Sequence, residues 1–81
     1  MVEPWKNDPK NVEFETKAKN ILKSELRRRA VNCAQLAAKL SVMGIAETEQ
    51  NINNKINRGG FTAAFLLQCL SAIGSDTVYL G

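Results

Sequence analysis

The sequence predicts an all-α fold, a compact bundle of four or five short helices with room for a short C-terminal β-strand. Three observations carry that prediction. Apolar residues recur at helical spacing in separate stretches, and glycines punctuate the chain at Gly44, Gly59-Gly60 and Gly74. The 44% apolar content of these 81 residues is enough for one core and too much for a disordered chain. A chain this short buries only roughly 60–65% of its unfolded surface, so its stability margin is thin.

Residues 1–13 read as an N-terminal arm, because Pro4 and Pro9 interrupt a helix and polar residues fill the gaps. Trp5 is the exception there: it caps the domain's own core or meets a second subunit. A helix is expected from about Phe14 to Arg29, with Phe14, Ala18, Ile21, Leu22 and Leu26 on one stripe. Its other faces carry Lys17, Lys19, Lys23, Arg27 and Arg28, and Lys23 and Arg27, four apart, share a side. Val31 is expected to enter the core, and Asn32 is a good N-cap for a second helix over Cys33 to Val42. Leu36, Ala37 and Leu40 form the buried stripe of that helix, and Gly44 ends the segment.

The third helix is expected to open near Ala46–Thr48 and to end at Asn57–Arg58. Its apolar content is Ile52 and Ile56. Turning Ile52 inward sends Gln50, Asn54, Asn57 and Arg58 outward, with Asn51 and Lys55 along one edge and Asn53 on the other. Four asparagines in seven positions are poor helix formers, so helix propensity does not explain them. Phe61-Thr62 signals a fourth N-terminus, and the helix from about Ala63 to Ile73 presents Phe65, Leu66, Leu67, Cys69, Leu70 and Ile73 around most of its circumference. The domain proper is thus 14–74. The tail 75–81 contains the β-prone run Thr77-Val78-Tyr79-Leu80, which folds back on the helices or pairs across a dimer.

Composition narrows the function. Without histidine, the usual general base near neutral pH and the commonest metal ligand are missing. Cys33 and Cys69 cannot make a four-ligand zinc site and lack CxxC spacing, so neither a metal nor any other cofactor is expected. They read as small core residues of a protein kept in a reducing, cytoplasmic compartment. An enzyme is not expected. Phe61 to Ile73, the longest apolar stretch, is too short and too interrupted to span a membrane, and the first residues lack the apolar run of a signal peptide. Eleven Lys and Arg against eight Asp and Glu give a net +3, which permits a polyanionic partner without requiring one.

The run Val31-Asn32-Cys33-Ala34-Gln35-Leu36-Ala37-Ala38-Lys39-Leu40, then Ile52…Ile56-Asn57-Arg58-Gly59, then Phe61-Thr62 and Leu66-Leu67…Leu70…Ile73-Gly74 resembles the Cro/CI-type helix-turn-helix domain of bacterial and phage repressors. The likeness extends over Lys19 to Gly74. More narrowly, Asn51 to Phe61 together with Phe65 to Leu70 is similar to a family of small bacterial proteins catalogued as a domain of unknown function. The chain departs from the classical motif in two places: more residues separate Leu40 from Ile52, and Ile52 and Ile56 are spaced by four where three is commoner.

The helix-turn-helix resemblance implies a DNA-binding protein, a small transcriptional regulator that acts as a homodimer on a palindromic site by occupying promoter DNA. A major groove about 12 Å wide admits one helix, and Asn or Gln can pair bidentately with adenine, Arg or Lys with guanine. Gln50, Asn51, Asn54, Lys55, Asn57 and Arg58 are accordingly the expected base-reading residues. The resemblance assigns backbone contacts to Asn32, Gln35 and Lys39, and Lys23 and Arg27 join them if their face meets the duplex. The rival reading is a protein-interaction module on the same scaffold, in which Glu47, Glu49 and the asparagines meet a partner and Trp5 or Tyr79 anchors it. The asparagines also have a bland explanation, that they merely cap and solvate a short helix. No small-molecule ligand is expected.

Overall fold

A computed structural model describes residues 9–77 and contains four helices: α1 (Pro9–Arg28), α2 (Cys33–Val42), α3 (Glu49–Arg58) and α4 (Ala63–Ala72). The all-helical class is as the sequence predicts, and among the described residues there is no strand. Val78, Tyr79 and Leu80 lie outside the described residues, as does Trp5, so the expected strand and both expected anchors fall there too.

The start of α1 differs from expectation. It begins at Pro9, not at Phe14, so the stretch expected to be an arm contributes more than a turn of helix. The physical reason is position: the first helical residue has no intrahelical acceptor for its backbone nitrogen, so proline there costs no hydrogen bond. Helices α2, α3 and α4 begin on side-chain caps. Asn32 and Gln35 form a reciprocal capping box on α2, Thr48 accepts the Asn51 N–H on α3, and Thr62 accepts the Phe65 N–H on α4.

The core consists of Leu22 and Leu26 from α1, Leu36 and Leu40 from α2, Ile52 and Ile56 from α3, and Phe65, Cys69, Leu70 and Ile73 from α4 and its end. Val31, Ile45 and Phe61 pack against it from the connections. Helices α1 and α4 run side by side in the same direction. Near their starts Glu15 abuts Gly60, and near their ends the Arg29 guanidinium donates to the Ile73 carbonyl at 3.3 Å. Two residues expected inside are not. Phe14 is 64% exposed, because α1 overhangs the start of α4 by more than a turn. Leu67 is 62% exposed, because it sits about 200° around α4 from both Phe65 and Cys69.

Between α3 and α4 the chain turns through Gly59 and Gly60, with φ of 72° and 65°, a region that L side chains rarely adopt. A side chain at Gly60 would also meet the Glu15 carboxylate at 3.1 Å. At the other end of the bundle, Glu25 accepts from Arg28 at 3.0 Å and from Arg29 at 3.3 Å. The Arg28 guanidinium, assisted by Arg29, holds the Glu25 carboxyl below its usual range.

Two outcomes are expected. Ile52→Ala should lower unfolding free energy by about 2–5 kcal/mol, the range for emptying a buried aliphatic site, read from urea denaturation. Because the folded-state pKa of Glu25 is depressed, its stabilisation is complete above the ordinary carboxyl pKa of about 4.3 and disappears as pH falls through the lower folded value. Urea midpoints measured across that acid window should therefore fall less steeply for Glu25→Gln than for the parent protein.

Candidate nucleic-acid interface

Helix α3 forms despite its asparagines because its ends and inner edge are held from outside. Thr48 caps the start and Glu49 places a carboxylate in the first turn. At the far end, the Lys19 ammonium of α1 donates to the Asn57 carbonyl at 2.9 Å, a cation placed where the helix dipole is negative. Ile52 and Ile56 are buried, and the Asn57 amide donates to Asn53 Oδ1 at 3.2 Å along the outer surface.

The outer face is polar and open. Gln50, Asn51, Asn53, Asn54, Asn57 and Arg58 are all exposed, which is the orientation that burial of the two isoleucines requires. Lys55 departs from this set. Its ammonium lies 2.8 Å from Glu47 and 5.0 Å from the centroid of the Phe65 ring, so the residue expected to read bases is engaged by the protein's own fold. The same ion pair accounts for Glu47. Its side chain, 11% exposed, turns in to Lys55 rather than out to solvent. Of the charges on α3 itself, Glu49 and Arg58 remain outward.

The start of α2 lies beside the first half of α3. Cys33, Glu49, Gln50 and Asn53 line one open hollow of about 430 Å³ between the two helices. Asn53, on the edge opposite Lys55, thus joins Gln50 in this hollow; the signal for it in the sequence is the spacing of four from Asn57. Within the capping box, Asn32 Oδ1 accepts the Gln35 N–H at 2.8 Å and Gln35 Oε1 accepts the Asn32 N–H at 2.9 Å. Both side-chain oxygens are occupied and both NH2 groups stay available as donors, the polarity that a phosphate oxygen needs.

Lys39 is exposed on α2 and Arg27 on α1, whereas Lys23 is half-buried. Lys19, Lys23 and Arg27 follow one another at intervals of four, so this cationic stripe starts at the α3 terminus that Lys19 touches. Cys69 is fully buried, and burial pushes its thiol up to about 12. Burial also raises the half-buried Cys33, with the Glu49 charge adding to the effect. Neither is poised as a thiolate nucleophile. Among the described residues no group of acids and cysteines is arranged to hold a metal ion, and no helix is long and apolar enough to cross a membrane.

A family model described as "Domain of unknown function (DUF6471)" matches residues 14–78, which take in α2, α3, α4 and most of α1. The chain belongs to the DUF6471 family. No curated protein and no solved structure matches it. The DUF6471 match thus spans all the expected contact residues, from Lys23 to Arg58, without assigning any of them a role.

The Lys55 arrangement has a measurable consequence. Lys55→Ala leaves the shielded Glu47 carboxylate without its partner and uncovers Phe65, and should cost about 1–3 kcal/mol in chemical denaturation. Arg58→Ala, at an exposed position, should change stability by less than about 0.5 kcal/mol in the same assay.

Proposed function

We propose that this chain is a small helix-turn-helix DNA-binding protein that inserts α3 into the major groove and regulates transcription by occupying promoter DNA as a homodimer. The observation that carries the reading is the outer face of α3. There Gln50, Asn51, Asn54 and Asn57 stand exposed beside Arg58 while Ile52 and Ile56 hold the opposite edge in the core. Carboxamides on one exposed helix face are the groups that pair with adenine, and a guanidinium pairs with guanine. The neighbouring start of α2, with its capping-box NH2 groups, supplies donors for the sugar-phosphate backbone.

Charge defines the character of the binding. With Lys55 and Glu47 neutralising each other, α3 contributes hydrogen-bond readout and little net attraction. Phosphate contacts fall to Lys39, Lys23 and Arg27, and a monomer with so few of them binds modestly. Two copies on a two-fold-symmetric site double the contacts, which is why the reading includes a dimer. The cytoplasm is where a regulator of this kind meets DNA and where its two thiols stay reduced.

A second reading, a protein-interaction module, draws on the exposure of Phe14 and Leu67, apolar groups of the sort that anchor interfaces. The two separate cleanly. Fluorescence anisotropy with mixed-sequence duplex at low salt should show binding that weakens steeply as salt rises. Each bidentate pair is worth about 1–3 kcal/mol, so Asn54→Ala with Arg58→Ala should reduce affinity for a selected site by ten-fold or more. Absence of duplex binding at high micromolar protein and low ionic strength would overturn the DNA reading. If Leu67→Lys abolished capture of a partner while the α3 variants did not, the interaction module would replace it.

A further inference from the structure

The end of α1 and the outer side of α2 enclose a second open hollow, of about 430 Å³, lined by Arg29, Ala30, Val31, Gln35, Ala38 and Lys39. Its polar side chains are all hydrogen-bond donors or have a donor left over. Arg29 is pre-oriented, since its Nε donates to Glu25 and its Nη1 to the Ile73 carbonyl, which leaves Nη2. The Gln35 oxygen accepts the Asn32 N–H, and its NH2, which has no hydrogen bond among the described residues, is left as a donor. Lys39 is exposed and makes no ion pair among the described residues. No carboxylate lines the hollow; Glu25, which is bonded to Arg29 from behind the wall, accepts from both Arg28 and Arg29.

Two permanent cations and an amide NH2 around one recess, with no acid on its wall, are complementary to a compact multiply acceptor anion. We propose that this hollow at the α1–α2 junction is a seat for a single phosphate group, held by Arg29, Gln35 and Lys39. The seat itself stands on this geometry alone. That the phosphate is one of a duplex backbone rests on the DNA-binding reading, and the alternative source is a free phosphorylated small molecule. Arg29 is thereby assigned a binding role in addition to its tie between α1 and the end of α4.

Inorganic phosphate is the first probe, with chloride at matched ionic strength as control. Amide NMR spectra of the full chain should show saturable shifts at Ala30, Val31, Gln35 and Lys39 with phosphate and not with chloride. Lys39→Gln should reduce the shifts, and Ala38→Glu, which puts a carboxylate on the wall at an exposed helical position, should abolish them. Arg29 is left intact because its bond to Ile73 is structural. Equal shifts with chloride, no saturation, or unchanged shifts in Ala38→Glu would overturn the seat.

Duplex titration then identifies the source. Ala38→Glu should weaken duplex binding roughly ten-fold, and Lys39→Gln should lower the slope of log affinity against log salt by about 0.9, the increment that each neutralised phosphate contributes. Phosphate-dependent shifts with unaltered duplex binding in both variants would assign the seat to a free phosphorylated ligand and overturn the backbone assignment. Duplex failing to bind the parent protein, with the phosphate shifts present, would overturn the DNA reading and leave the seat standing.

Discussion

The attachment of α3 depends on two side chains. Burying an isoleucine contributes about 1.5–3 kcal/mol, so Ile52 and Ile56 together supply about 3–6 kcal/mol. Against them stand Asn51, Asn53, Asn54 and Asn57, each disfavoured in a helix by up to about 0.7 kcal/mol relative to alanine. The isoleucines and the Thr48 cap outweigh that cost. Nothing else apolar lies on this helix, so the side it shows to solvent is decided by those two residues, and the exposed amides and Arg58 take their orientation from them.

Much of this architecture was legible in the sequence. The bounds of α2, the caps at Asn32 and Thr62, the inward isoleucines and the glycine stop at Gly59 all follow from local rules about backbone groups and periodicity, which need no knowledge of neighbours. The helical start at Pro9 was not, because the same residue breaks a helix interior and suits its first position, and which applies depends on where the helix begins. Phe14 and Leu67 stand outside the core for a related reason. Spacing identifies an apolar stripe but does not say how far a neighbouring helix extends along it, or that a largely apolar helix still has an outer side.

The candidate interface was legible in its amides and not in its charges. Burial of Ile52 and Ile56 fixes where Gln50, Asn54, Asn57 and Arg58 point, and Asn51 follows them. Lys55 was unreadable because its partners come from elsewhere: Glu47 from the connection before α3 and Phe65 from α4. The recess that joins Arg29 to Lys39 is equally a product of the fold, since it needs the end of one helix set against the flank of the next. Ion pairs and recesses between elements are tertiary facts, whereas capping and amphipathicity are local ones.

The bond from Lys19 to α3 ends on a main-chain oxygen, not on the amide of Asn57. Any amino acid at position 57 offers the same oxygen. The outward lettering of this helix can therefore be rewritten over generations without loosening the brace that steadies it, while the lysine on α1 has no such freedom. A helix anchored in this way keeps the identity of its exposed side chains independent of what holds it in place.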